Sequence, residues 1–322
     1  MICISQTSRD PYFNMAVEEH LLNSFDEEIF MLWQNESAVI VGRYQNTLAE
    51  INREYVEANN IAVVRRLTGG GAVFHDAGNL NFTFIRNGTD PDFAKFTGPV
   101  VELLRKLGAD ARFEGRNDIS IDGKKVSGNA MLVAGSRILV HGTLLFSANL
   151  ERLSAALNAN PLKFDGKAVQ SVRSRVANIR DLLPEPMTVE RFAELIMTHI
   201  FQSQPRCQPY SLSPDDRAAA ERLKTHKYAT WEWNYGHSPA YAFSKTVKTP
   251  GGTFEVKLNA SNGIITAVKL FGDFFGSDIE RFEALFVGCR HESADVEKTL
   301  RAVKPGEYFA GADPADLLPC FF

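Results

Sequence analysis

Two turn dipeptides constrain the fold more than any other feature of this 322-residue chain. Asp122-Gly123 separates ISI from KVSGNAMLVA, and Gly135-Ser136 separates that run from RILVHGTLLFS. Both dipeptides favour the tight turns whose twist matches antiparallel strands, so the region reads as two consecutive hairpins. Other strand signals are FMLWQ near 30, SAVIVG near 37, IAVVRR from 61 and LNFTFI at 80–85, and they do not alternate as strand–helix–strand repeats. The expected class is α+β, a mainly antiparallel sheet with packed helices, and not a doubly wound parallel sheet. A first helix starts at Asp10-Pro11, a cap followed by proline at the first helical position. It carries Phe13, Val17, Leu21 and Phe25 along one face. Further helices are expected at 48–59, 97–107, 150–157, 189–201 and 215–225.

KTVKTPGG at 245–252 interrupts this pattern. Beyond it TFEVKLNASNGIITAVKLFG reads as another hairpin, followed by amphipathic helices at 278–287 and 294–303. The expected division is a large domain at 1–246 and a small α+β domain at 247–322. A chain that is 44% hydrophobic can bury a sizeable core. With 35 basic and 39 acidic residues the net charge of −4 provides no global field for nucleic acid or anionic membrane. The four cysteines are scattered without a CxxC pair, so neither a disulfide framework nor a zinc site is expected, and a reducing compartment fits best. No basic-then-apolar leader and no apolar run of about 18 residues occurs. A cytoplasmic, soluble monomer is expected, with no nucleic-acid or membrane partner.

RRLTGGGAVFHD (65–76) sets two arginines beside three consecutive glycines. Glycine triplets are entropically costly, so something there requires bare backbone. Neither familiar phosphate motif fits. A dinucleotide fingerprint needs glycine where Phe74 stands, and Gly123-Lys124 and Gly166-Lys167 lack the rest of a P-loop. The residues after the triplet are more strand than helix, so the loop joins strand to strand. Two readings stand at this point: a nest of backbone N–H groups for an anion, or a tight turn with surface arginines. Adjacent on a strand, Arg65 and Arg66 point to opposite sides. A second element, GRNDISIDGKKVSGNA (115–130), places Lys125 and Ser127 on one strand face and Lys124 on the other. The small residues that follow suit a ligand passing close to backbone.

RRLTGGGAVFHD, GRNDISI, KKVSGNA, HGTLLFSANLERL and SVRSRVANI occur in that order, framed by DPYFNMAVEEHLL and WEWNYG. In these motifs the chain resembles the lipoate–protein ligase A family over essentially its whole length. The resemblance implies a catalytic domain related to biotin protein ligases and class II aminoacyl-tRNA synthetases, in agreement with the antiparallel reading. It also implies a reaction in two steps. ATP converts the carboxylate of lipoic acid to lipoyl-AMP, releasing pyrophosphate, and an acceptor lysine then takes the acyl group, releasing AMP. The implied cofactor is Mg2+. The implied acceptors are the lipoyl domains of 2-oxoacid dehydrogenase complexes and the glycine cleavage H protein.

Residue by residue, the resemblance makes Lys125 the catalytic lysine, bridging the lipoate carboxyl and the α-phosphate and so belonging to both substrate sites. It places ATP against Arg66, Gly71, Ala72, Val73 and Phe74, with Gly69 and Gly70 completing the nest. It places lipoate against Gly70, Arg65, His75 and His141, Arg65 alternatively being structural. Asp118, beside Asn117, is either a magnesium ligand or a turn-capping carboxylate. His75 and His141 lack metal-ligand spacing. Arg173 and Arg175 lie in a long basic loop (161–179) expected to fold over the adenylate. The small domain is expected to act as a lid, hinged near Thr249–Gly252. A rival on the same fold is an octanoyltransferase, which takes its acyl group from acyl carrier protein without ATP and uses a cysteine nucleophile. No cysteine lies between Cys3 and Cys207, which favours the ligase. A non-catalytic adenylate-binding protein would lack Lys125 or the glycine loop, and both are present.

Overall fold

The computed structural model describes residues 1–90, 92–115, 117–157, 164–166, 176–204, 206–274, 277–309 and 311–322. By contact density the chain divides into two compact units. The first comprises 1–43, 52–158 and 171–230, and the second comprises 44–51, 159–170 and 231–322.

In the first unit the strands are β1 (Ile2–Ser5), β2 (Ile29–Trp33), β3 (Ala38–Val41), β4 (Ala62–Arg65), β5 (Val73–His75), β6 (Asn79–Asn87), β7 (Ala111–Glu114), β8 (Asp118–Ile121), β9 (Lys124–Ala134) and β10 (Arg137–Leu145). After β11 (Phe164–Gly166), which belongs to the second unit, comes β12 (Gln208–Pro209). An eight-stranded sheet runs in the order β12-β1-β2-β6-β10-β9-β8-β7. Only the β12–β1 and β1–β2 pairs in it are parallel. The mainly antiparallel sheet expected from the hairpins is therefore the architecture. Asp122 and Gly123 both adopt positive φ (51° and 70°), the conformation a two-residue hairpin turn needs. A three-stranded sheet, β4-β3-β5, stands beside it.

Alternation along the strands gives the large sheet two different faces. One face is apolar. Phe82 and Phe84 on β6, Val140 and Leu144 on β10 and Val126 on β9 pack against Phe96, Val100 and Leu104 of helix Phe93–Lys106. Phe192, Ile196 and Ile200 of helix Val189–Ser203 complete that core. Each fully buried side chain of this size is worth about 1.5–3 kcal/mol. The other face carries Asn79, Asn81 and Thr83 on β6 and His141 and Thr143 on β10, beneath helix Pro11–Ser24. That helix is capped as its sequence predicts: Asp10 Oδ1 accepts the N–H groups of Tyr12 and Phe13. The helix expected at 97–107 begins four residues earlier, where Asp92 caps it by accepting from Ala94 N.

Two sequence expectations need correction in this unit. The single helix expected over 48–59 is two short ones, Thr47–Glu50 and Arg53–Ala58. Ile51 is extended between them, and Asn52 caps the second by accepting from Tyr55 N. The cysteines were not expected to pair, yet Cys3 and Cys207 form a disulfide with their Cα atoms 6.2 Å apart. The two residues are 204 apart in sequence but sit on the neighbouring β1 and β12 segments, which their spacing alone does not reveal.

The second unit holds a four-stranded sheet in the order β11-β13-β14-β15, with β13 (Tyr241–Thr249), β14 (Gly252–Ser261) and β15 (Ile264–Phe274) as a meander. Phe254, Val256, Leu258, Ile265 and Val268 face Phe282, Phe286, Val296, Leu300 and Phe321 from the flanking helices. The boundary drawn at 246/247 falls inside β13. Thr249 pairs with Gly252, so Pro250-Gly251 is a hairpin turn and not a hinge between domains. Leu48 packs on this core, Thr47 donates to the Asn234 carbonyl (2.6 Å), and β11 pairs with Tyr241–Phe243.

Candidate active site

The glycine triplet is explained by two positions. Gly70 has φ +89°, which favours glycine, and its carbonyl oxygen lies where a side chain on Gly42 would be. A Cβ at Gly42 would stand 2.0 Å from that oxygen, so the loop is laid directly on the end of β3. Arg66 holds it there. Its Nη2 donates to the carbonyls of Gly69 (2.6 Å) and Gly71 (2.8 Å), its Nη1 to Ile40 O (3.1 Å) and its Nε to Thr68 Oγ1 (2.9 Å). With those carbonyls turned inward, the N–H of Gly70 points the other way, as an anion-binding nest requires. Arg65 instead donates through Nη1 to the carbonyls of Gly42 (2.9 Å) and Arg43 (3.0 Å). Both guanidiniums are buried, which pulls each down to about 10 and still leaves them charged at neutral pH. Ala72 leads into β5, where Val73 and Phe74 pair with Ile40 and Val39, and the Phe74 ring is buried.

A chain of hydrogen bonds starts at Arg66, and its directions can be assigned one by one. Glu18 Oε1 and Oε2 accept from His141, which therefore carries a proton on Nδ1 (3.0 Å to each oxygen). Nε2 of the neutral ring is then an acceptor and takes the hydrogen of Thr68 Oγ1 (2.7 Å), while a lone pair of that oxygen accepts from Arg66 Nε (2.9 Å). Glu18 Oε1 also accepts from the Thr83 hydroxyl (2.5 Å), which in turn accepts from Trp33 Nε1 (2.9 Å). A buried carboxylate thus stands at one end of the chain as counter-charge to the buried guanidinium at the other. Glu18, Thr68, Thr83 and Trp33 were not anticipated as site residues. Polar residues at every second position of NLNFTF were the available signal for Thr83. Glu18 sits beside the apolar stripe of its helix, where periodicity alone does not distinguish it.

Around this chain, buried polar atoms face inward without partners. His75 Nδ1 accepts from Asn35 Nδ2 (3.0 Å), whose orientation is fixed because Asn35 Oδ1 accepts from Asn14 Nδ2 (2.9 Å). Its proton is then on Nε2, which has no acceptor among the described residues. Burial, with His141 and Arg66 nearby, pushes this imidazole down to about 3 and keeps it neutral. Asn79 Oδ1 and Asn81 Nδ2 are likewise buried and unpaired. Buried polar groups are normally satisfied, so an unpaired set on one face marks where a ligand makes hydrogen bonds.

Lys125 lies further along the same face. Thr143, two residues beyond His141, accepts from Gly128 N (3.3 Å), and the Lys125 side chain folds over Gly128. From the His141 row to the end of β10 is about 13 Å at the usual rise per residue, which suits an extended acyl chain of moderate length. Lys125 Nζ pairs with Asp118 Oδ1 at 2.9 Å across the irregular β8–β9 pairing, and both side chains are about one-third exposed. Asp118 is thus a charge partner of the lysine. Among the described residues no three His, Cys, Asp or Glu side chains could hold a metal ion together. Arg173 and Arg175 lie outside the described residues.

Glu18, His141 and Lys125 thus lie along one face of the sheet, and the glycine loop is tied to that face through Arg66 and Thr68. The comparisons with known proteins give the family. The lipoyl protein ligase A/B catalytic domain profile matches residues 10–201, and that of the bacterial lipoate protein ligase C-terminus matches 238–321. The chain is 41% identical to lipoate–protein ligase 1 of Staphylococcus aureus over 96% of each chain. It is 39% identical to a lipoate–protein ligase of Bacillus subtilis, covering 99% of this chain and 98% of that one. A solved lipoate–protein ligase A bound with ATP superposes with a TM-score of 0.63 at 28% identity, over 73% of this chain and 98% of that one. A bi-partite ligase from Thermoplasma acidophilum, studied with its E2 lipoyl domain, gives a TM-score of 0.62 at 27% identity, over 73% and 96%. The chain belongs to the lipoate–protein ligase family.

Proposed function

We propose that this chain is an ATP-dependent ligase that converts lipoate to lipoyl-AMP and passes the acyl group to a lysine of a lipoyl domain. The acceptors we assign are the lipoyl domains of 2-oxoacid dehydrogenase complexes and the glycine cleavage H protein. The observation that carries the reading is Lys125, a partly exposed ammonium held by Asp118 on the same sheet face as His141 and Glu18. Bringing a carboxylate against a polyphosphate requires fixed positive charge and backbone donors, not a covalent intermediate. Lys125 supplies the mobile ammonium, released from Asp118 onto the two anions. The nest at Gly70–Phe74, shaped by Arg66, takes the phosphates. His75 Nε2–H and the pocket walls at His141 and Arg65 orient the acyl group. Asp118 fits magnesium as one carboxylate ligand of an ion that arrives with ATP and keeps its phosphate oxygens.

The transferase alternative lacks a nucleophile. Two cysteines are joined to each other, burial pushes the Cys320 thiol up to about 11, and it raises Cys289 as well. Such thiols carry little thiolate at neutral pH. The chemistry is assigned to the first unit, which contains every residue given a role above, and an accessory role to the C-terminal residues from 247. The test is to mix protein, ATP and magnesium with lipoate, octanoate or biotin and look for acyl-AMP by mass spectrometry. Lipoyl-AMP is expected with the wild type. Lys125→Ala is expected to lose at least about 100-fold in its formation, the scale of removing one preorganised electrostatic group. Wild-type turnover by a folded variant refutes the assignment.

A further inference from the structure

We propose that Thr68 is a positioning residue that couples the acyl pocket to the phosphate loop, so that lipoate and ATP each tighten the binding of the other. The inference rests on the ligase reading and deepens it. Thr68 follows the two arginines and precedes the glycine triplet, and it is fully buried. Its hydroxyl links two groups of residues. On one side Arg66 fixes the carbonyls of Gly69 and Gly71, and hence the direction of the nest N–H groups. On the other side His141 and Glu18 form the pocket wall, held by Thr83 and Trp33.

The coupling follows from the donor count. A hydroxyl has one hydrogen, which the bare Nε2 of His141 takes, and one of its lone pairs accepts from Arg66 Nε, so the two bonds together fix its rotation. If the loop shifts so that Arg66 releases Thr68, the hydroxyl loses one of the two bonds that fix its rotation, and its hold on His141 Nε2 weakens. The His141–Glu18 orientation then loses its anchor. Conversely, a pocket held in its closed arrangement by an acyl chain keeps Thr68 pointing at His141, with its lone pair presented to Arg66. The phosphate loop is then already in the arrangement that phosphate binds. Each ligand therefore bears part of the ordering the other would otherwise require, and by linkage the effect is reciprocal. The main chain adds a second anchor: Thr68 O accepts from Arg43 N (2.9 Å), so the residue stays in place when its side chain changes.

The experiment is titration calorimetry of the full chain with lipoate and with α,β-methylene-ATP, each alone and each in the presence of the other. Wild type is expected to show mutual tightening of at least about fivefold, the lower end of ordinary coupling between sites. Thr68→Val keeps the shape, loses both hydrogen bonds, and is expected to bring the coupling factor below about 2 with each ligand alone still binding. Thr68→Ser retains the hydroxyl and should restore the coupling, which a merely structural methyl contact would not. Undiminished coupling in the valine variant, or equal loss in valine and serine variants, overturns the proposal, as does wild type without coupling. If Thr68→Val does not fold, His141→Asn provides the same break from the other side of the link and is judged by the same factor. Failure of lipoate or the nucleotide analogue to bind wild type at all counts against the ligase reading itself, a distinguishable result.

Discussion

Gly42 shows how little room the glycine loop has. A methyl group there must displace the Gly70 carbonyl, which is backbone. Gly42→Ala is expected to weaken ATP binding at least about tenfold, equivalent to about 1.4 kcal/mol, with lipoate affinity less affected. Calorimetry with each ligand separately checks this. His75 carries a prediction of pH dependence. Its folded value of about 3 lies below the ordinary 6.5, so between those limits the unfolded chain binds a proton that the folded chain does not. The stability this group contributes is fully present above pH 6.5 and is lost progressively on acidification toward pH 3. His75→Gln removes the titration and should flatten the fall of the urea midpoint between pH 7 and pH 5. An unchanged slope means that His75 is not buried and neutral. Strand alternation said that the two arginines part ways, and the resemblance to the family singled out Arg66, whose guanidinium does hold the loop carbonyls. Glu18 and Thr68 were not legible in the sequence, because their importance lies in partners 65 to 123 residues away.

Among the elements, those specified by local chemistry were readable: the Asp10-capped helix and the Asp122-Gly123 and Gly135-Ser136 hairpins. The elements missed are the ones tertiary pairing decides. β11 is three residues in a basic stretch without periodicity, and only its register with Tyr241–Phe243 makes it a strand. The break at Ile51-Asn52 coincides with the chain's passage from one unit to the other. The Cys3–Cys207 link provides an element-scale prediction. It closes a long loop and ties β1 to β12, so reduction or Cys207→Ser should lower stability by about 2–5 kcal/mol. Thermal unfolding with and without reductant measures this. Acyl transfer by the folded variant should stay near normal, because no step is assigned to a thiol. A second test lies at helix Pro214–Leu223. Asp216 Oδ2 accepts from Ser213 N, the Ser213 hydroxyl and the Tyr210 hydroxyl, while its Oδ1 meets His20 Nε2. Burial would raise this carboxyl, but those hydrogen bonds outweigh it and hold it well below the usual range. Asp216→Asn is expected to cost more than the roughly 1 kcal/mol of an ordinary cap. The loss should be present at pH 7 and vanish as acid protonates the wild-type carboxyl, which denaturant titration at several pH values will show.

For the whole molecule, the decisive feature is the interleaving of the two units, between which the chain passes after 43, 51, 158, 170 and 230. A single cut therefore does not separate them cleanly. If the chain is severed between Thr230 and Trp231, the larger fragment keeps 44–51 and 159–170, whose partners are β13, Asn234 and the small core. The two fragments made together in one cell are expected to co-purify. Recovery of 231–322 as an independent, stably folded species that ignores the larger fragment would show that these segments are dispensable to it. The same interleaving sets a timetable for synthesis. The ribosome releases 44–51 and the β11 strand early, and the first residue of β13 emerges roughly 75 residues after β11 ends. At the usual pace of elongation that gap lasts about 4–15 seconds. For that interval the nascent chain exposes a strand with no neighbour to bond, the kind of open edge that invites wrong pairing.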